Sequence, residues 1–311
     1  MARQKRLHNP FDFAFGMLYN EYPKELHENL CIPGKFRRKS NVKARFQNGK
    51  RLEMDASYVV DPDFEILFEP AVVDLEHQSK PVDISKIQTI GEYNIQQIAD
   101  ERLPTLNIIA SHLNEELSVK QFKRTPTTIV QLQFLNLGKK EIEKRLNILE
   151  NIINDRKQIT TKDAINLGII VLFAPREDAC EITRKALTLY LEFENRSSRL
   201  EYTLYSVFSA MIDAYFDNEH EYEELMVLIN KETNDEIIGK FETEIISENK
   251  IKELEDELVK SNNERDSAYI ERDSAYDKIS EVNHENMKLK SRIKDLENQL
   301  KKKNRKDQAL F

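Results

Sequence analysis

The fold is decided by a stretch that reads Leu52-Glu-Met-Asp-Ala-Ser-Tyr-Val-Val60. Apolar side chains occur there at every second position, which is the pattern of a β-strand with one buried face. Pro62 ends this strand, since proline cannot donate to a sheet ladder. A second extended run covers residues 66–78 and ends just before Pro81. The two runs are predicted to pair antiparallel through the Pro62-Asp63 turn.

The residues on either side extend this strand pair into a mixed α/β region. A helix is predicted from Asp12 to about Leu30, and a basic loop follows it. A second, amphipathic helix is predicted over 83–101, and β-rich runs follow at 105–110 and 127–137. The apolar face of the second helix is predicted to consist of Ile84, Ile87, Ile90, Ile95 and Ile98. The order strand, strand, helix, strand, strand indicates a sheet with a crossover helix.

Beyond Gly138 the pattern changes to helices. Residues 138–244 have helical spacing throughout, and Thr160 with Asp163 is predicted to cap one of these helices. Residues 245–305 carry an unbroken heptad repeat, and residues 306–311 form a short tail. With Ile251 as position a, eleven of the sixteen a and d positions are apolar. Such a seam predicts a coiled coil.

The coiled coil is predicted to join two copies of the chain. One heptad is duplicated, because Glu264-Arg-Asp-Ser-Ala-Tyr269 recurs as Glu271-Arg-Asp-Ser-Ala-Tyr276. Asn286 at an a position favours a parallel dimer, whereas the weak Arg/Ala centre leaves antiparallel pairing open. A single solvated helix is the alternative interpretation of the same segment.

Composition limits the class of protein. The 311 residues allow two domains, and 33% charged residues with no Trp and 7 Gly suggest that part of the chain is an exposed helix. Cys31 and Cys180 are the two cysteines, which excludes a disulfide framework or a cysteine-rich metal site. The longest apolar run, 169–174, is too short for a membrane span, and the N-terminus has no apolar signal core. These features predict a cytoplasmic protein with no membrane partner.

Charge is distributed unevenly. The chain carries −8 overall, but residues 1–51 carry +8, so the remainder carries −16. From Lys35 to Arg51 there are eight basic residues and no acid. This pattern can attract phosphate by counterion release, although a solvated loop with a basic bias is the alternative. The residues predicted to bind nucleic acid are Lys35, Arg37, Arg38, Lys39, Lys43 and Arg45. The charge pattern alone does not separate DNA from RNA.

Three polar residues stand where the predicted strands would bring them together. Asp55 lies within the first strand, and Glu76 and Gln78 lie on one face of the second, since they are separated by one residue. In an antiparallel pair, Asp55 and Glu76 can converge on one hard cation such as Mg²⁺. Such an ion can activate water and neutralise a phosphate. Ordinary exposed strand residues are the alternative interpretation.

The same residues resemble a known family. Met54-Asp-Ala-Ser-Tyr58, the run Val72-Val-Asp-Leu75 and the following Glu76-His-Gln-Ser-Lys-Pro81 are similar to the recombination-promoting nuclease (Rpn) family, also labelled PD-(D/E)XK nuclease family transposases. In that family an Asp on one strand is followed by Glu-His-Gln-Ser at the end of the next. The helix Asp12-Phe-Ala-Phe-Gly-Met-Leu-Tyr19 is similar to the family's N-terminal helix, with Gly16 in place of a Lys. The resemblance covers roughly residues 8–137.

The resemblance implies an α/β fold: a restriction-endonuclease-like core with a mixed central sheet over 1–137, followed by the helical region and the C-terminal coiled coil. It also implies an endonuclease that cuts double-stranded DNA with Mg²⁺ or Mn²⁺ and promotes recombination. By position, Asp55 and Glu76 would hold the metal, and Gln78 would orient the attacking water where most of the superfamily has Lys. Gln78 cannot carry a charge. The alternative function is therefore a catalytically weak or inactive nuclease-fold protein that acts through its coiled coil.

Overall fold

The computed structural model describes residues 6–40, 45–47, 50–52, 56–78, 84–111, 119–125, 128–193 and 196–308. The chain divides into two compact units, Met1–Ser247 and Glu248–Phe311. The strands of the described part are β1 Lys35–Lys39, β2 Arg45–Gln47, β3 Lys50–Leu52, β4 Ala56–Asp61, β5 Ala71–Gln78, β6 Thr105–Ser111, β7 Val119–Thr125 and β8 Thr128–Leu135. The helices are α1 Pro10–Glu21, α2 Pro23–Asn29, α3 Ile84–Glu101, α4 Lys139–Asn154, α5 Thr161–Leu172, α6 Ala179–Leu191, α7 Ser198–Tyr215, α8 Glu219–Lys231 and α9 Asp235–Gln308.

The centre of the first unit is a mixed six-stranded sheet in the order β1-β4-β5-β6-β8-β7. β4 and β5 pair antiparallel, as the sequence predicts, but β5 begins at Ala71 rather than at residue 66, and β4 is buried on both faces rather than on one. β6 lies parallel to β5, and α3 is the crossover between them. The mixed α/β character of this region is thus confirmed. β7, which pairs antiparallel with β8, has no counterpart in the prediction.

The first predicted helix, from Asp12 to Leu30, is wrong in its continuity. It is two helices, and α2 begins at Pro23 directly after Tyr22. Proline lacks the backbone N–H that a continuous helix would use, but it fits the first position of a new helix. The break lets α1 lie against α7 while α2 lies against α5.

The two faces of the sheet are covered differently. One face carries Tyr58, Val73 and Leu75, which belong to the large apolar core shared with the helices of the first unit. The opposite face lies under α3, where Ile109 and Phe134 form a much smaller apolar cluster. The face beneath α3 also buries polar side chains, among them Asp74, Glu76 and Asn107.

Helix α3 does not turn all of its isoleucines inward. Ile90 is buried, but Ile95 and Ile98 are 61% and 52% exposed, so the predicted apolar face is wrong at these two positions. The spacing of five residues from Ile90 to Ile95 rotates the side chain by about 140° around the helix, away from the sheet. Tyr93 and Gln97, at the correct helical spacing, are buried instead.

The helices after the sheet complete the first unit. A capping box at Thr160 and Asp163 starts α5, as predicted. The beginning of α9 also belongs here, since Phe241 and Ile245 are buried in the large core. No helix in the described part of the chain combines the length and the apolar character needed to cross a membrane.

In the second unit, α9 continues as one unbroken helix from 248 to 308. The large apolar side chains at its described a and d positions are between 52% and 59% exposed in the single chain. They are Ile251, Leu254, Leu258, Ile279, Val282, Leu289 and Ile293.

His27 is a buried titratable side chain that joins α2 to the sheet. Its Nε2 lies 2.9 Å from the carbonyl oxygen of Gly34, and its Nδ1 lies 3.2 Å from the hydroxyl of Tyr58. Burial lowers the pKa of His27 below its ordinary value of 6.5. We expect the free energy of unfolding to fall as the pH drops below 6.5, because the unfolded chain then binds a proton that the folded chain resists.

Thermal denaturation at several pH values below neutrality measures this fall. His27→Gln should show a smaller decrease of Tm with pH, since the glutamine keeps hydrogen-bonding capacity without titrating. An equal decrease in the variant would mean that other groups control the acid sensitivity.

Candidate active site

Two of the predicted site residues, Glu76 and Gln78, lie at the end of β5. The third, Asp55, directly precedes β4 in the sequence. Ala56 pairs with Leu75, and Ser57 pairs with Asp74. Glu76 and Gln78 follow on β5 and share one face of the strand, Glu76 buried and Gln78 partly exposed. Asp55, which precedes Ala56 in the sequence, lies outside the described residues.

Glu76 forms an ion pair that sequence reasoning missed. The Nζ of Lys86, in the first turn of α3, donates a hydrogen bond to Oε2 of Glu76. The Glu76 side chain is only 1% exposed, against 23% for Lys86. A buried carboxylate remains ionised only where a cation or hydrogen-bond donors compensate for lost water. The start of α3 therefore supplies positive charge to the end of β5.

A row of buried polar residues lies beside this ion pair on the same face of the sheet. Asp74 is fully buried, and its neighbours in register are Ser57 on β4 and Asn107 on β6. Gln97 of α3 reaches the row, with its Nε2 3.3 Å from Oγ of Ser57. Lys86 and Gln97 thus place polar groups of α3 against the buried polar residues of the sheet.

His77 lies on the opposite face, as its position between Glu76 and Gln78 predicts. Its ring stacks against those of Phe11 and Phe15 at centroid distances of 6.0 and 5.5 Å, and it meets Phe173 edge-on at 5.5 Å. Asp12 approaches Nδ1 of His77 at 3.9 Å. The imidazole is thus a core side chain and does not face Glu76.

Glu76 is the predicted metal ligand that the structure describes. Within the described ranges, no three His, Cys, Asp or Glu side chains group as metal ligands. Asp55 falls outside those ranges. Glu76 offers the oxygen donor that Mg²⁺ prefers, but one of its oxygens already accepts from Lys86. A cation at Glu76 must therefore share the carboxylate with Lys86 or displace its ammonium group.

The segment from Lys35 to Arg51 is not the loop that the sequence predicts. It contains β1 and the short strands β2 and β3. β1 is the edge strand that pairs with β4, with an irregular register between Phe36 and Arg38. In β1 the exposed Lys35, Arg37 and Lys39 alternate with the half-buried Phe36 and Arg38.

The basic side chains of β1 contact different parts of the protein. Arg38 binds Glu101 at the end of α3 through two hydrogen bonds of 3.1 and 2.7 Å, which raise the pKa of the guanidinium. Lys39 donates to the backbone oxygen of Asn20 at 2.9 Å, and burial lowers its pKa. Arg37 lies 3.5 Å from Asp61, and Lys35 is exposed. Lys43 and the side chain of Arg45 lie outside the described part of the chain.

The contact between Arg38 and Glu101 gives a stability prediction. Glu101 is 5% exposed, so Arg38→Ala leaves a buried carboxylate with weaker compensation. Since Arg38 itself is 42% exposed, we expect a modest decrease of about 1–2 kcal/mol in the free energy of unfolding. Urea denaturation measures the change, with Lys35→Ala as the matched loss of charge on the same strand. Equal stability of the two variants would show that the Arg38 pair is only a surface contact.

Two functional candidates, Lys86 and Gln97, were absent from the sequence-based site. Both lie on the predicted crossover helix, and Lys86 directly precedes Ile87 of the apolar stripe. The signal that could have revealed Gln97 is the failure of the stripe after Ile90, which leaves a polar residue at an inward position; Lys86 precedes that point, and the stripe gives no signal for it. No protein-family model, curated protein or solved structure matches this chain.

Proposed function

We propose that the protein is a Mg²⁺- or Mn²⁺-dependent DNA endonuclease of the Rpn/PD-(D/E)XK transposase type, built on a restriction-endonuclease-like core. The observation that carries this proposal is the environment of Glu76. This carboxylate is buried near the end of β5, faces a helix that supplies Lys86, and directly follows the residue that pairs with Ala56. Ala56 is in turn the chain neighbour of Asp55.

Each residue has a distinct role in the proposed reaction. Asp55 and Glu76 hold the divalent ion, whose contribution is to lower the pKa of water and to neutralise phosphate charge. Gln78 orients the attacking water through its amide group. Lys86 supplies the cationic charge that Gln78 cannot, since its ammonium group already lies at Glu76.

The remaining parts of the chain suit the same activity. The basic segment from Lys35 to Arg51 contacts DNA phosphates, and its exposed basic side chains make these contacts directly. The heptads of α9 form a coiled coil with a second copy of the chain. Two active sites related by a two-fold axis can cut both strands of a duplex. The protein would act on cytoplasmic DNA and promote recombination by cutting it.

A second candidate function is a catalytically inactive nuclease-fold protein that acts as a coiled-coil interaction module. Two observations favour it: Gln78 is neutral, and Lys86 already neutralises Glu76. The two functions differ in one measurable property, which is metal-dependent hydrolysis of DNA.

The test uses purified full-length protein and supercoiled plasmid, with Mg²⁺ or Mn²⁺, and with or without a chelator. Conversion to nicked or linear plasmid that the chelator abolishes supports the endonuclease. If no cleavage occurs with either ion at enzyme concentrations above that of the plasmid, the interaction module is the better description.

A further inference from the structure

The loop that joins β4 to β5, residues 62–70, displays three large apolar side chains to solvent. Phe64 is 69% exposed, and Ile66 and Phe68 are each 70% exposed. Ile66 and Phe68 are the most exposed large apolar side chains in the described part of the chain. A single apolar residue on a protein surface is ordinary, but three within five residues of one loop form a patch of the kind that marks an interaction site.

Hydrogen bonds fix the shape of this loop from within. Oδ1 of Asp63 accepts hydrogen bonds from three consecutive backbone N–H groups, those of residues 65–67, at 3.0, 2.9 and 2.9 Å. Its Oδ2 accepts another from the N–H of Gly34 at 2.8 Å. Leu67 turns the other way and packs against the large core. The loop is therefore ordered before any partner binds, and binding does not have to supply the cost of ordering it.

Phe64 adopts a backbone conformation that a bulky side chain disfavours. Its φ is 62°, in the left-handed region, where the Cβ atom is crowded. Its N–H donates to the carbonyl oxygen of Leu67 at 3.0 Å, which closes the turn. Glycine would adopt this conformation without the steric cost. An exposed phenylalanine at such a position contributes little to the fold, and this favours a role in binding.

The charges of the loop select the kind of partner. Residues 62–70 include three acids and no base; the acids are Asp63, Glu65 and Glu69. Asp63 is engaged within the loop, whereas Glu65 and Glu69 are exposed between the apolar side chains. Within the described ranges these two glutamates form no ion pair. They attract Lys and Arg side chains and repel the phosphates of nucleic acid or of an anionic membrane.

The area of the patch suits a short segment of chain. A large apolar side chain presents roughly 150–200 Å², so three of them at about 70% exposure present roughly 300–400 Å². A stable contact between two folded proteins buries about 800 Å² on each partner. A second copy of the chain held by this patch alone would therefore bind weakly. A peptide segment, in contrast, can be held by a few apolar anchors.

We propose that the 62–70 loop is the docking site for a basic, apolar segment of a partner protein. Lys or Arg side chains of that segment contact Glu65 and Glu69, and its apolar side chains pack around the three exposed apolar residues of the loop. The inference does not depend on the nuclease function. β5 begins at Ala71, next to the loop, and reaches Glu76 five residues later, about 17 Å away. The docking segment thus lies at the opposite end of the strand from the candidate active site.

Peptide display on the full-length protein tests the proposal. A library of short random peptides is selected on the wild-type chain, and the recovered peptides are then measured against variants by fluorescence anisotropy. We expect the recovered peptides to combine apolar residues with Lys or Arg and to carry a net positive charge. Recovery of acidic or uncharged peptides only, or of no binding peptide, would overturn the proposal.

The apolar part of the contact is tested with Phe64→Ser/Ile66→Ser/Phe68→Ser. We expect this variant to bind a recovered peptide about a hundredfold more weakly, because a few apolar anchors carry most of the binding energy of such a contact. The matched control, Val227→Ser/Leu228→Ser/Ile246→Ser, removes three other exposed apolar side chains, from α8 and α9, and should bind like the wild type. Equal Kd values for the two triple variants would overturn the assignment to this loop.

The charged part is tested with Glu65→Gln/Glu69→Gln. This variant should bind a recovered peptide about tenfold more weakly at low salt and should lose most of the salt dependence of binding. Glu223→Gln/Glu224→Gln, at exposed positions of α8, is the matched control and should keep the wild-type Kd. A wild-type Kd for the loop variant would contradict a basic partner.

Phe64→Gly separates binding from folding. Its melting temperature should not fall, since glycine relieves the crowded backbone, while peptide binding should weaken about tenfold. A lower melting temperature with unchanged binding would make Phe64 a structural residue and would contradict its role in docking.

Two other occupants give distinct results with the full-length protein. Weaker self-association of the triple loop variant than of the wild type, measured by sedimentation equilibrium, would assign the patch to a second copy of the chain. Binding to vesicles of neutral phosphatidylcholine that requires the same three side chains would assign it to a membrane. Either result would overturn the proposal of a basic peptide segment.

Discussion

Glu76→Gln is expected to reduce metal-dependent plasmid cleavage by at least about a hundredfold, the size of effect seen when a group that holds a catalytic metal or a developing charge is lost. Glutamine has nearly the same shape as glutamate but no negative charge, so a divalent ion loses a principal ligand. Because Glu76 is only 1% exposed, solvent water has little access to take the place of the lost carboxylate ligand. Initial rates of nicking at several Mg²⁺ concentrations measure the effect.

The choice of glutamine matters because Glu76 also contacts Lys86. Glu76→Ala would leave both a cavity and an ammonium group without its carboxylate, so lost activity could reflect misfolding. Glutamine can still accept a hydrogen bond from Lys86, and a thermal melt checks that the fold is retained. The matched control is Glu143→Gln on the exposed side of α4, which should cut at the wild-type rate. Wild-type cleavage by Glu76→Gln would remove this residue from the active site.

Much of the strand and helix pattern could be predicted from local sequence. The alternation around Tyr58 and the proline at position 62 predict the strand β4, though not the burial of both its faces, and three-to-four spacing predicts α3 up to Ile90. The failures have physical causes. Pro23 breaks a helix whose apolar spacing continues across it, and the polar Gln97 is buried because it meets Ser57 of another strand. Local periodicity does not report such tertiary partners.

The candidate site, like the fold, is predictable from the sequence only in part. Glu76 and Gln78 share a face because they are two residues apart on one strand, which sequence alone establishes. The contact with Lys86 depends on where the crossover helix begins, and no pattern in the strand contains that information. The basic residues of β1 were likewise grouped by sequence proximity. The strand then separates them, sending Arg38 to α3 and Lys39 to α1.

The proposed dimer gives the second prediction with a large expected effect. We expect the full-length protein to be a dimer at micromolar concentration, and Leu289→Asp/Ile293→Asp to make it a monomer. These side chains are 59% and 56% exposed in the single chain, so pairing can bury about half of each. Burial of that area contributes roughly 1 kcal/mol per side chain, and the two substitutions also place four carboxylates in one seam.

The control adds the same charge outside the seam. His284→Asp/Ser291→Asp changes two exposed residues at successive f positions of the same helix, so the dimer should persist. Sedimentation equilibrium of the three proteins over a range of concentrations compares their association constants. Equal weakening by both double variants would indicate general charge repulsion rather than a coiled coil.

Truncation after Ser247 tests the same seam without adding charge. The cut must follow Ile245, because Phe241 and Ile245 pack in the core of the first unit, and an earlier end would remove part of that core. The truncated chain should be a folded monomer with a cooperative thermal transition, since its buried side chains are intact. A truncated chain that dimerises as strongly as the full-length protein would place the dimer contact on the first unit, and α9 would then be a single solvated helix beyond residue 248.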